Sequence, residues 1–292
     1  MTTMTLSPGN AAVPRGPLWP RFTTPQVWGM VLLVPYVLVF LAFVVYPVGY
    51  GLWLARHPAS YVALYNDPIF ARAAVNTLIF LLVGINLKML VALFLSGFFV
   101  QSRSWIRWLS VLFILPWAVP SIPTILSVRF MFNPEWGVVN NLIFKFTGED
   151  GPNWLNDPSV ALTMAILMHI WKSLPFWTLI LMSGRLAISQ DLFEAAEVDG
   201  ASFWQKFRFV TWPSMQTLYL TCTLLSMIFT LGDFNSVYLL TGGGPADLTH
   251  VLATLGIRYI RLDRLDLAMA SIVCALPLVL PLVYFMMKRL SR

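Results

Sequence analysis

The sequence is short of charge. Only 11% of its 292 residues are Asp, Glu, Lys or Arg, against about a quarter in a typical soluble chain. Cysteine is scarcer, with two residues, and there are three histidines. Cys222 and Cys274 lie in apolar runs without CxxC or metal-type spacing, which excludes a disulfide scaffold and reads as two buried thiols. His57, His169 and His250 are scattered, with no His/Glu pair at ligand spacing, so neither a metal nor a proton relay is assigned to them. Walker A, GxSxG and metalloprotease patterns are missing, so no catalytic residue is expected and ATP hydrolysis by this chain is not. The net charge of +6 comes with no aromatic-interleaved basic patch, which argues against nucleic acid as a partner.

What is abundant is apolar surface. The hydrophobic set makes up 58% of the chain and the mean hydropathy is +0.73. A soluble globule of this size has no interior large enough to hide it, so lipid is the expected surrounding. Runs long enough to cross a bilayer, about 20 residues each, fall near 29–54, 74–100, 108–131, 159–183, 214–240 and 266–287. The predicted fold is all-α and polytopic, with six transmembrane helices spanning 29–292 behind a polar, Pro-rich tail at 1–28. The first run is too long for a signal-peptide core and lacks a small-residue cleavage site, so it is expected to remain as an anchor. With the N-terminus inside, ten Lys and Arg fall in inner segments, six in outer segments and three within spans. That bias places both termini in the cytoplasm.

Two connections are long. The outer loop 132–158 reads as a solvated connection. The inner loop 184–212 holds two short helical pieces. Gln190 to Val198 places Leu192, Ala195 and Ala196 on one face, with Ser189 as its N-cap and Asp191 and Glu194 toward the positive end of its dipole. Asp199 and Gly200 interrupt it. Ala201 to Val210 then projects Phe203, Trp204, Phe207 and Val210, and Pro213 marks the entry to the next span. Such an amphipathic elbow needs a cover: the protein's own helix ends, the lipid interface or a partner.

The order of residues in this elbow is specific. Glu194-Ala195-Ala196, Asp199-Gly200-Ala201, Phe207 and Pro213 resemble the EAA signature of the membrane subunits of ATP-binding-cassette (ABC) importers. The likeness continues in Tyr46-Pro47, in residues 67–80, in LPWAVPSIP at 115–123, in FNPEWGVVN at 132–140, in Trp171 to Phe176 and in LTGGGP at 240–245. Together these resemble the carbohydrate-uptake branch that includes the larger maltose-permease subunit and the glycerol-phosphate permeases. Two departures are Ile188-Ser189 where that branch often has Ile-Pro, and the lack of a large extra outer domain. The resemblance implies a non-catalytic permease of the bacterial inner membrane whose elbow is a coupling helix seated in an ATPase subunit. It further implies a second homologous permease subunit, two ABC ATPase subunits that hold ATP and Mg, and an external solute-binding protein. An ion-coupled secondary transporter using Asp233 and Lys172, or a polytopic transferase, are the alternatives.

Charges within spans are costly, by about 2.5–3.5 kcal/mol each on insertion scales. Asn86 with Lys88, Trp171 with Lys172, and Asp233 with Asn235 and Tyr238 are therefore candidates for a solute path; for the lysines, snorkelling or interhelical pairing is the alternative. Amides and carboxylates bind sugar hydroxyls and aromatic rings stack on sugar C–H faces, although Trp and Tyr also line membrane interfaces. Pro116, Pro120, Pro123, Pro175, Pro277 and Pro281 free backbone carbonyls within spans and act either as hinges or as fixed kinks. Residues 241–245, TGGGP, lack the ending of a phosphate loop and read as a tight turn, which the resemblance places near the docking surface of the binding protein.

Overall fold

The computed structural model describes residues 23–101 and 103–290. Most of the tail expected at 1–28 thus lies outside the described residues. All regular structure among the described residues is helical.

The first unit, which ends at Gly51, is formed by all but the last turn of the helical run α1 (Thr24–Leu54), with a π-helical turn at Leu41–Val45. It begins at Thr24 rather than 29 because the Thr23 N–H donates to Gln26 Oε1 at 2.8 Å and Pro25 sits in the first turn, where its missing N–H costs nothing.

The second unit, from Leu52 onward, holds the remaining helices. They are α2 (Pro58–Tyr65), α3 (Pro68–Phe99), α4 (Ser104–Ala118), α5 (Ser121–Met131), α6 (Val138–Thr147), α7 (Pro158–Leu186), α8 (Gln190–Val198), α9 (Phe203–Leu231), α10 (Asn235–Tyr238), α11 (Leu252–Arg261) and α12 (Leu265–Arg289). Five of the helical runs, α1, α3, α7, α9 and α12, are long and apolar enough to cross a membrane. The bent pair α4–α5 makes a sixth span if counted as one.

Three expectations shift. The third span is broken by 97° between Ala118 and Ser121. The fifth does not run from 214 to 240: it starts at Phe203, within the elbow, and stops at Leu231. The loop at 132–158 contains α6, and α2 and α11 are further short helices that hydropathy did not separate from loops.

A core of Leu81, Ile85, Met89, Trp177, Leu181, Met215 and Val279 binds α3, α7, α9 and α12. A second core, with Leu64, Ala73, Leu255, Tyr259 and Ala268, gathers α2, α3, α11 and α12. Ala73, Ala268 and Ala270 have almost no exposed surface, as close approach of helices in lipid requires. Of the two thiols, Cys222 is buried and Cys274 half-buried, and both are free.

Candidate functional site

Lys88, on α3, has 1% of its surface exposed. Its ammonium lies 2.8 Å from His169 Nε2, on α7, and donates to Thr230 Oγ1, on α9, at 3.4 Å. On the other side of the ring, His169 Nδ1 is 2.5 Å from Asp233 Oδ2. Lysine only donates and a carboxylate only accepts, so the ring carries its proton on Nδ1 and accepts on Nε2. A buried ammonium is thus linked to a carboxylate through an imidazole, which satisfies groups that would be prohibitively costly alone in this setting. Trp177 lies 5.9 Å from the Lys88 ammonium and Phe80 5.1 Å from the imidazole. Ser236 fixes Asp233 from the other side, its N–H donating to Oδ1 at 3.1 Å and its hydroxyl to Oδ2 at 2.5 Å.

Lys172 is held differently. The residue before a proline is pushed out of the helical region, and the chain turns extended at Val119, before Pro120, so the last carbonyls of α4 and that of Val119 have no intrahelical donor. The Lys172 ammonium serves them, donating to Pro116 O at 2.5 Å and to Val119 O, with Trp117 O at 3.5 Å. It thereby sits at the negative end of the α4 dipole and closes the break in the third span.

These groups meet at a cavity of about 300 Å³ lined by Trp117, Ser121, His169, Lys172, Asp233 and Asn235, with Ile125, Ser173, Phe229 and Ser236 completing it. Of the path candidates, Lys172, Asp233 and Asn235 line the cavity, and Lys88 stands behind His169. Asn86 is elsewhere: it is exposed, and its amide donates to Leu82 O at 2.6 Å. Trp171 is exposed and does not line the cavity. Tyr238 stacks on Phe234 at 4.4 Å and its phenol accepts from Arg261. His169, which the sequence reading left without a role, is the centre of the arrangement. A signal existed along α9 and just past its end, where Thr223, Ser226 and Thr230, all buried, lead at helical spacing to Asp233 two residues beyond the helix.

The elbow is built from local chemistry. Gly200 has φ +70°, a left-handed conformation that favours glycine. It ends α8 in a Schellman motif, with Ala201 N–H to Ala196 O at 2.9 Å and Gly200 N–H to Glu197 O at 3.0 Å. Ser202 starts α9 with a capping box: its N–H donates to Gln205 Oε1 at 2.7 Å and its hydroxyl accepts from Gln205 N–H at 3.4 Å. Lys206 and Glu197, 2.6 Å apart, tie the two arms. Glu194, Ala195, Asp199 and Gly200 are exposed, and Ala196 and Ala201 are half-buried. Phe207 does not face outward. It stacks on Trp204 at 5.2 Å and Phe94 at 6.2 Å, fixing the elbow to α3. Pro213 lies inside the continuous helical run rather than at its entry. It offers no N–H to Phe209 O, and the π-helical turn Phe207–Thr211 immediately precedes it. Val198 and Phe203 beside the bend are 89% and 85% exposed.

At 241–250 the expected tight turn is present, with Gly242 at φ +64° and Gly243 at φ +91°. The His250 ring occupies the space where a Gly243 side chain would be, 2.0 Å from an ideal Cβ. Asp247 accepts from Arg258 Nε at 2.9 Å and lies 3.2 Å from His250 Nε2. Burial works to raise the Asp247 pKa, but the bonds and charges of Arg258 and His250 hold it below the usual carboxylate value. Burial lowers that of His250, opposed in part by Asp247.

A polytopic helical protein with a polar cavity between a broken span and two long helices, and with an exposed elbow joining those same helices, is a membrane transport subunit. Over residues 88–292 the chain matches the family described as binding-protein-dependent transport system inner membrane component, and it belongs to that family. It is a permease subunit of an ABC importer, a multi-pass inner-membrane protein, and the ion-coupled and transferase alternatives fall with that membership. It is 29% identical over 279 residues to the trehalose/maltose transport system permease protein MalF of Thermococcus litoralis, covering 90% of this chain and 94% of that one. It is 30% identical over 290 residues to the sulfoquinovosyl glycerol transport system permease protein SmoG of Agrobacterium fabrum, covering 92% and 93%. Among solved structures it resembles a chain of a bacterial ABC transporter involved in the import of the acidic polysaccharide alginate, with TM-score 0.76 at 25% identity, covering 92% of this chain and 96% of that one.

Proposed function

We propose that this chain supplies one half of the membrane path of a sugar importer, pairing with a second, similar permease. Two ATPase subunits carry ATP and Mg, an external binding protein delivers the solute, and this chain itself is non-catalytic. Both termini and the elbow lie in the cytoplasm. ATP binding closes the ATPase dimer and carries the elbow, residues 190–210, inward; the cavity then opens outward, and hydrolysis resets it.

The observation that carries this reading is that the elbow and the cavity share their helices. α7 bears His169 and Lys172 and leads into α8, while α9 starts in the elbow and stops two residues before Asp233. Movement of the elbow is therefore movement of cavity walls. The cavity suits a polyhydroxylated solute. Asp233 offers acceptor capacity, and Ser121 and Asn235 have side chains with no hydrogen bond among the described residues. Trp117 and Phe229, 48% and 61% exposed, offer ring faces for sugar C–H groups. The names of the maltose and sulfoquinovosyl glycerol relatives support a sugar as cargo.

The test uses the reconstituted importer with its binding protein and the sugar that this protein binds in a panel screen. Glu194→Lys is expected to abolish uptake and solute-stimulated ATP hydrolysis with normal membrane insertion. Asp233→Ala is expected to abolish uptake while ATPase subunits remain bound. Normal uptake by both variants at wild-type abundance refutes the assignment.

A further inference from the structure

On the side of the protein that carries the elbow, a second cavity of about 220 Å³ opens between the end of α3, the start of α4 and the last turns of α7. It shares no lining residue with the solute cavity. Its walls divide by chemistry. Phe99, Phe113, Leu179 and Met182 are apolar, and Arg103 and Arg107 stand four residues apart, which puts them on one face of the α4 start. Both arginines are exposed, and among the described residues neither has a carboxylate partner. The two lining hydroxyls already donate elsewhere, Ser110 to Arg107 O and Thr178 to Leu174 O, each within 2.8 Å. What remains free is a pair of guanidinium forks beside an apolar slot. Trp105 and Trp108 on the same helix are 52% and 75% exposed, as residues at the membrane–water boundary often are.

We propose that this cavity seats an anionic phospholipid. Its phosphodiester lies between Arg103 and Arg107, and its glycerol and first acyl carbons lie against Phe99, Phe113, Leu179 and Met182. Planar guanidinium groups match phosphate oxygens two at a time. Basic pockets between spans at the cytoplasmic surface are suited to such headgroups. The apolar wall is what selects a lipid over a soluble anion, since a free phosphate has nothing to place there. Because the slot joins α3 and α4 to the end of α7 that carries α8, the bound lipid also steadies the base of the elbow.

The test uses the complete importer, with partner permease and ATPase subunits. Native mass spectrometry after exchange from phosphatidylglycerol into neutral detergent is expected to show the lipid retained by wild type. In Arg103→Ala/Arg107→Ala its retention is expected to be about 30-fold weaker, the effect of removing two cations near the surface. The Arg103→Lys/Arg107→Lys variant keeps the charge but not the fork and is expected to retain lipid at an intermediate level, which separates loss of charge from misfolding. ATPase activity in phosphatidylcholine vesicles is expected to rise on adding phosphatidylglycerol and not on adding inorganic phosphate. Retention that is equal in wild type and the alanine variant overturns the proposal. So does a wild-type complex that keeps no phosphatidylglycerol because a partner chain fills the slot, and so does stimulation by inorganic phosphate alone.

Discussion

Replacing Gly200 with valine isolates the conformational basis of the elbow, because the space around this residue is empty. An ideal Cβ there meets no atom within 4 Å, so no clash within this chain contributes. The cost is that of holding an L residue at φ +70°, about 1–2 kcal/mol, with a β-branched side chain at the upper end. Leaving that conformation breaks the two Schellman bonds at 2.9 and 3.0 Å. It also separates Glu197 from Lys206, although that half-exposed pair adds little. About 2 kcal/mol lowers the population of the bent elbow roughly 30-fold against its alternatives, with about fivefold for alanine at 1 kcal/mol. Asparagine tolerates the left-handed region and is the control. The assay is ATP-driven uptake in vesicles carrying the whole importer, normalised to membrane abundance by immunoblot. The expected order is Gly200→Asn near wild type, Gly200→Ala reduced, and Gly200→Val reduced at least tenfold, with insertion unchanged in all three. Wild-type uptake by Gly200→Val refutes the reasoning. Equal damage by Gly200→Asn does so as well, since it would make bulk rather than backbone conformation the operative property.

The break in the third span gives a second prediction. Lys172→Met leaves the Pro116 and Val119 carbonyls without a donor and is expected to cost about 1–3 kcal/mol of stability. Lys172→Arg keeps a cationic donor at this position and is expected to retain part of that stability, read as thermal melting in detergent; equal losses in the arginine and methionine variants count against the account. At the 241–250 turn, Gly243→Ala combines φ +91° with a Cβ 2.0 Å from the His250 ring. An expected loss of about 2–5 kcal/mol follows from strain plus overpacking, and His250→Ala is expected to relieve the overpacking part in the same melting assay. The same histidine gives a pH dependence. Its folded pKa lies below the ordinary 6.5, so the folded turn binds fewer protons than the unfolded chain. Its contribution is fully present above about pH 6.5 and is lost as pH falls below that value. Asp247, also depressed, adds a further loss below its ordinary 3.8. Hydrogen-exchange protection factors at 242–250, corrected for the intrinsic pH dependence of exchange, are expected to fall between pH 6.5 and 5 in wild type, with a flatter profile in His250→Gln.

The parts of this molecule that were legible in the sequence are those fixed by near neighbours. α8 occupies Gln190–Val198 as its periodicity indicated, because Ser189, Asp191 and Gly200 supply its start and stop within a dozen residues. The prolines at 116, 120 and 123 announced free carbonyls, but not that Lys172 takes them, since that donor arrives from another helix more than 50 residues away. Lys88 and Asp233 stood out as charges in apolar runs. His169 did not, because its meaning depends on partners 81 and 64 residues distant. Asn86 and Trp171 were drawn into the candidate path by adjacency to Lys88 and Lys172. Consecutive residues on a helix point about 100° apart, so adjacency in sequence is weak evidence for a shared cavity.

The fifth span shows how a misplaced boundary conceals a mechanism. Its apolar run begins near 214, and Pro213 reads as an entry residue, so the elbow and the span appear as two objects. In the fold the elbow's second arm and the span are one helix of 29 residues, about 43 Å at 1.5 Å per residue, from Phe203 to Leu231. Ser202 and Gln205 cap its start, and the π-helical turn at Phe207–Thr211 absorbs the bond that Pro213 lacks, so the proline does not divide it. One end carries Phe203 into solvent beside the bend, and the chain just beyond the other end places Asp233 on His169. A rod of that length pivoting by only a few degrees displaces its far end by ångströms, comparable to the hydrogen bonds at Asp233. Its companion α7 leaves the same elbow and supplies His169 and Lys172 to the same cavity. The elbow is thus tied to both sides of the His169–Asp233 contact, through α7 across the short link at 187–189 and through α9, which ends two residues before Asp233. That contact joins α7 to the chain at the end of α9, where a change in their relative tilt is felt as a hydrogen bond made or broken.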